Sequence, residues 1–180
     1  MAEIRIRNTE ERISGEQNVR AFLESQEVLY EHWDASKLPG HLQDKFVLSD
    51  EEKAEILATY DVEIRELAER RGYKTWDIVA LSDATPGLDD ILKRFEQVHT
   101  HTEDEVRAIT AGRGIFIIKG SEEVGYFDVE LEAGDVISVP ETIPHFFTLM
   151  DNRQIVAVRL FIETEGWIAH PFEDPAFTKA

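Results

Sequence analysis

Two kinds of hydrophobic spacing divide this chain near residue 95. Ahead of it, apolar residues recur mainly at three- and four-residue steps, the period of a helix with one face buried. Val19, Phe22, Leu23 and Gln26 predict a helix within about Gly15 to Tyr30. A longer helix is predicted from Ser49, where "SDEE" has the capping-box form and acids fill the first turn. Leu57, Tyr60, Ile64, Leu67 and Ala68 continue its apolar face, and Gly72 after Arg70 and Arg71 supplies the stop. "TPGLDDILKRFEQ" predicts a further helix with Thr85 as N-cap and Pro86 at the first helical position. Two strands interrupt this part: "EIRIR", with Ile4 and Ile6 on one face, and "TWDIVAL".

After Val98 the pattern changes to short alternating runs: "VHTHTEDEVRAIT", "GIFIIKG", "VGYFDVEL", "DVISVP", "HFFTLM" and "IVAVRLFI". Gly112, Gly120, Gly134 and Pro140 break them. Regularly spaced short strands predict an antiparallel sandwich or small barrel. The fold class expected is α+β, mainly β, with a mostly helical part over residues 1–95 packed on a barrel core over 96–170, and a tail over 171–180. The whole is read as one domain, since 180 residues bury a sizeable core without staples.

Composition narrows the function classes. With no cysteine, disulfides, thiolate metal ligands, iron–sulfur clusters and a cysteine nucleophile are excluded. The net charge of −18 repels phosphate backbones and anionic headgroups, so neither nucleic acid nor membrane is an expected partner. No apolar run approaches the roughly 18 residues of a membrane span. "MAEIRIRNTEER" carries no signal-peptide core, so a cytoplasmic location is expected. Nothing marks an obligate apolar interface, and a monomer is the expectation.

The candidate chemistry sits in "HTHTEDEVR", residues 99–107. Side chains two apart on a strand share a face, so His99, His101, Glu105 and Arg107 would point inward together. Glu103 shares that parity, and a turn or bulge near Thr102 to Asp104 is expected to take it off the axis. Imidazole and carboxylate suit a borderline divalent ion such as Fe(II), Ni(II), Mn(II) or Zn(II). The alternative is a pair of hydrophilic histidines opening an edge strand. Two features weigh against it. Arg107 on an inward face needs an anion. The stretch "GDVISVPETIPHFF" would also return His145 beside the first strand, completing a set of three histidines and one glutamate. His32, His41 and His170 are read as ordinary surface residues.

The spacing H-x-H-x3-E-x6-G, met by His99, His101, Glu105 and Gly112, resembles the first motif of the cupins. Gly134, Pro140 and His145 resemble the second. Lys93 stands where that family has a glycine, and Thr142 and Leu149 replace a glycine and an asparagine of the second motif. A narrower resemblance covers about residues 50 to 170. "HTHTEDEVR", "DVISVPETIPHFF", "VRLFIETEGWIA" and "GYKTWDIVAL" together are similar to the acireductone dioxygenase family. The resemblance implies a cupin (double-stranded β-helix, or jelly-roll) barrel, and metal ligands at His99, His101, Glu105 and His145. It implies one Fe(II) or Ni(II) per chain and a methionine-salvage substrate, acireductone, cleaved with O2. Fe(II) would give formate and 4-methylthio-2-oxobutanoate; Ni(II) would give formate, carbon monoxide and 3-methylthiopropanoate. Arg107 and Arg159 would act as catalytic cations, with Phe147 and Trp167 as apolar walls of the substrate pocket. A rival, another metal-dependent cupin, would share the four ligands but would need neither "EGWIA" nor an inward Arg107. A ligand sensor without turnover is a weaker rival, since no basic helix-turn-helix segment accompanies it.

Overall fold

The computed structural model describes residues 2–163 and 168–172. In chain order the elements are β1 (Glu3–Ile6), β2 (Arg12–Ile13), α1 (Glu16–Ser25), β3 (Leu29–His32), α2 (Gly40–Gln43), α3 (Asp50–Thr59), α4 (Asp61–Arg71), β4 (Thr75–Leu81) and α5 (Leu88–Phe95). There follow β5 (His99–Thr100), β6 (Glu105–Lys119), β7 (Tyr126–Glu132), β8 (Asp135–Val139), β9 (His145–Leu149), β10 (Ile155–Phe161) and β11 (His170–Pro171). The fold is α+β and mainly β, a cupin barrel of antiparallel strands with helices packed on it. No helix among the described residues is long and apolar enough to cross a membrane.

One strand organises both sheets. The first half of β6 pairs with β8 and β10, and its second half pairs with β7 and β9. Outside these lie β3 and β4 on the one side, β1 and β5 on the other. The barrel sheets thus take β1, β2, β3 and β4 from the chain before residue 95. The transfer happens at a bulge, where Val156 pairs with Ala111 and Ala157 with Ile109, leaving Thr110 unmatched. One extra residue reverses which side chains face inward. Before the bulge Ile109 joins the interior and Val106 and Ala108 face out; after it Phe116 and Ile118 face in. Gly112 makes the turn feasible. Its φ is +78°, and a Cβ there would lie 2.2 Å from the Gln154 carbonyl oxygen. The break expected at Gly112 is therefore a bend within one continuous strand.

Two large apolar clusters hold these layers. The barrel interior joins Tyr30, Ile109, Phe116, Phe127, Val129, Ile137 and Phe147. The outer cluster seats Leu42, Ile56, Tyr60, Ile64 and Leu67 of the helices on Val106, Val136, Val156, Val158 and Leu160. A strand covered on both faces reads as a nearly unbroken apolar run, which explains "IVAVRLF" in β10.

The helices differ from expectation at their ends. Ser49 caps α3 with the full capping box, and Gly72 ends α4 in the left-handed conformation, both as the spacing predicts. The long helix between them is broken at Tyr60 (φ −105°, ψ 19°), whose hydroxyl donates to the Asp34 carbonyl. The first helix stops at Ser25, because residues 29–32 pair with β8. The last helix begins at Leu88 with Gly87 as its N-cap; Thr85 instead accepts from the Ser82 amide through its hydroxyl.

Candidate metal centre

Local structure delivers the four candidate ligands to one end of the barrel. His99 opens β5, His145 opens β9, and the two are direct partners in the ladder. The chain leaves strand geometry over residues 101–104 and re-enters it at Glu105, the first residue of β6. The His101 carbonyl accepts from the amide of Thr142, in the β8–β9 turn, at 2.9 Å. All four side chains are buried, and one ligand atom from each lies within 4.8 Å of the others.

The acids of "TEDE" divide the work of holding this loop. Glu103 accepts from the amides of Ile162 and Glu163 at 2.7 and 2.9 Å. Asp104 accepts from the Glu141 amide, the Tyr73 hydroxyl and Arg71. Only Glu105 turns into the site.

Hydrogen bonding sets the imidazole tautomers. Nδ1 of His99 lies 2.6 Å from the Gln97 carbonyl, that of His145 2.8 Å from Ile143, and that of His101 3.0 Å from Ile168. A carbonyl can only accept, so each Nδ1 carries a proton, and a ring in its neutral form presents an Nε2 lone pair. Nε2 of His101 is 3.2 Å from Glu105 Oε2, and His145 Nε2 contacts the same oxygen. Lone pairs aimed at a carboxylate in a buried site repel unless a positive centre lies between them. A proton serves one nitrogen, whereas a divalent ion serves all three and the carboxylate together. The donor set fits such an ion, and the absence of sulfur favours a borderline metal.

Ionisation follows suit. Burial, with repulsion from His145 next, pushes the His99 pKa down from 6.5 to about 4 and keeps the ring neutral. Burial alone would raise the Glu105 pKa, but His145, His101 and Arg107 outweigh it and hold the carboxyl well below its usual range.

Arg107 lies on the inward face, as parity predicts, and the anion that receives it is Glu105. Its Nε and Nη2 are 3.3 and 3.1 Å from Glu105 Oε1, the oxygen turned away from the histidines. Arg159 is the ladder partner of Arg107 on the adjacent strand and also faces inward. Its Nε donates to Asp77 Oδ1 at 2.7 Å and its Nη2 to the other oxygen. Both arginines, with His99, His101 and Glu105, line a cavity of about 310 Å³. Phe147 forms part of the same wall, edge-on to Phe95 with ring centroids 6.3 Å apart. Val79, Ile91, Arg94, Phe95 and Ala169 complete the wall, all of them outside the ligand motifs. Their available signal was the Ile91–Phe95 pair, one helical turn apart and offset from the core residues Leu88 and Leu92. Trp167 lies outside the described residues. His32, His41 and His170 are exposed and outside the ligand set; His41 meets Glu55 at 3.1 Å, and His170, on β11, pairs with Thr100 beside His99.

Comparison with known proteins agrees with this geometry. The model of the ARD/ARD' family matches residues 3–169. Acireductone dioxygenase of Geobacillus kaustophilus is 74% identical over 174 residues, covering 97% of each chain. That of Bacillus cytotoxicus is 54% identical over 168 residues, covering 93% of this chain and 98% of its own. The structure of Bacillus anthracis acireductone dioxygenase with a cadmium ion in its active centre superposes with a TM-score of 0.91 at 53% identity, covering 94% of this chain and 97% of the other. The chain belongs to the ARD/ARD' family.

Proposed function

We propose that this protein is a metal-dependent dioxygenase of methionine salvage that cleaves acireductone (1,2-dihydroxy-3-keto-5-methylthiopentene) with O2. The observation that carries the proposal is the set of three Nε2 atoms, each fixed by a carbonyl behind its ring, converging on Glu105 inside a cavity that also holds Arg107 and Arg159. The names of relatives at 74% and 54% identity support the same substrate. His99, His101, Glu105 and His145 would hold Fe(II) or Ni(II), one ion per chain. When bound, that ion supplies Lewis acidity and an electronic route between an enediolate and O2.

The chain's own residues bind and orient. Arg107 and Arg159 present cations to the substrate anion from adjacent strands, each already steadied by a carboxylate. Phe147, Phe95, Ile91 and Val79 offer an apolar wall to the methylthio end and exclude water from the charged end. Glu105 stays ionised through its contacts with His145, His101 and Arg107, so no proton has to leave it when the ion binds.

The test is to strip the protein of metal, rebuild it separately with Fe(II) and with Ni(II), and analyse products after aerobic incubation with acireductone. Formate with 4-methylthio-2-oxobutanoate is expected from the iron form. Formate, carbon monoxide and 3-methylthiopropanoate are expected from the nickel form. Failure of both forms to consume acireductone would overturn the proposal. Identical products from both would show that the protein, not the metal, sets which bonds break.

A further inference from the structure

Among the described residues, one cation of the cavity wall has no anion beside it. Ile91, Arg94 and Phe95 stand at i, i+3 and i+4 of α5 and line the cavity from one helix face. Ile91 and Phe95 are half-buried, whereas Arg94 is exposed, which places it at the rim. Deeper in, Arg107 is neutralised by Glu105 at 3.1 Å and Arg159 by Asp77. On the surface Arg153, Arg71 and Arg70 all have carboxylates within ion-pair distance. Among the described residues Arg94 has none, although acids outnumber bases by 37 to 19.

That imbalance creates a problem for an anionic substrate. A net charge of −18 repels an enediolate as it approaches from any side. The two inner arginines do little at a distance, because each forms a compact dipole with its carboxylate. An uncompensated guanidinium at the rim acts over roughly a Debye length, about 8 Å at physiological ionic strength. We infer that Arg94 is the capture residue of this site: its unpaired charge draws the anionic enediolate to the cavity mouth against the field of the acidic protein. The inference rests on the substrate proposed above and adds a specificity determinant to it. Arg94 raises kcat/KM for anions and leaves the bond-breaking step to the groups inside.

The experiment uses the holoenzyme with its purified metal content, in the wild type, Arg94→Gln, Arg94→Glu and Lys93→Gln. Lys93 is the adjacent exposed cation of α5 and does not line the cavity, so its variant changes net charge equally without touching the rim. Association with acireductone is followed anaerobically by rapid mixing, and steady-state kcat and KM are measured in air. At low ionic strength, association and kcat/KM should fall about threefold in Arg94→Gln and about tenfold in Arg94→Glu. The loss should appear in KM, with kcat little altered. Near 1 M salt, where screening acts within about 3 Å, the variants should converge on the wild type. Lys93→Gln should track the wild type throughout. An unchanged association rate in Arg94→Glu, an equal loss in Lys93→Gln, or a loss confined to kcat would each overturn the inference while leaving the substrate intact. A wild type that neither binds nor consumes acireductone would overturn the substrate and this inference with it.

Discussion

The two halves of β6 are one strand with opposite duties. From Glu105 to Ile109 its inward side chains are a carboxylate, a guanidinium and an isoleucine; from Gly114 onward they are Phe116 and Ile118. The first half buries charge that must be partnered; the second buries apolar surface that needs only to be filled. Both face the same barrel interior because the bulge at Thr110 corrects the register between them. The site can therefore be electrostatically demanding while the foundation beneath it remains apolar. Phe116 lies between the two, with its ring centroid 5.0 Å from Phe147 and 6.1 Å from His145.

The largest effect should come from the foundation. Phe116→Ala removes a fully buried ring and should cost about 4 kcal/mol in denaturant unfolding. The folded fraction should still bind metal, since no ligand is altered. Loss of metal from molecules that remain folded would break the division between the halves. Gly112→Ala attacks the joint itself. With φ at +78° and a backbone oxygen in the way, it should cost about 3 kcal/mol by the same measurement. A neutral result would mean that the bend tolerates a side chain and does not set the register.

Arg107→Leu acts on the charged half alone. The arginine steadies the far oxygen of Glu105, so metal affinity in a chelator competition should weaken about tenfold. Turnover should fall further, because the same guanidinium would meet the substrate. Unchanged affinity would leave Arg107 with the substrate only. The smallest effect concerns pH in the metal-free protein. The His99 pKa is depressed from 6.5 to about 4, so the unfolded chain binds the proton that the native ring refuses. Stability is then full above 6.5 and declines as pH falls toward 4, by at most about 1.4 kcal/mol per unit from this group. The Glu105 contribution is lost only lower, as pH falls through the usual carboxylate range and below. Urea titrations of wild type and His99→Gln between pH 7 and 5 should differ in slope. Parallel slopes would show that His99 does not carry the dependence.

How legible each part was in the sequence depends on the range of the forces that form it. The shared face of Glu105 and Arg107 was readable because strand parity within β6 is local, and the capping box at Ser49 and the stop at Gly72 are local as well. The kink at Tyr60 was not, since the apolar period runs unbroken across it and the residue's partner is the distant Asp34 carbonyl. Residues 29–32 left the first helix for a strand because β8 offers them a ladder more than a hundred residues away. The bulge at Thr110 carries no compositional mark. Nor do the carbonyls of Gln97, Ile143 and Ile168, because any residue can supply a backbone acceptor. Arg159 could be read as an outward residue of an alternating strand; its inward direction follows from its pairing with Arg107, and Asp77 accounts for its charge.

The central claim is that three neighbouring side chains and one distant one form a single metal centre, and His145 tests it best because it joins the others only through folding. Divalent metal should be counted by elemental analysis in purified wild type and His145→Ala, with circular dichroism to check the fold. About one ion per chain is predicted in the wild type, and a small fraction of that, with unchanged secondary structure, in the variant. A folded His145→Ala protein that retains a full complement of tightly held metal would contradict the account.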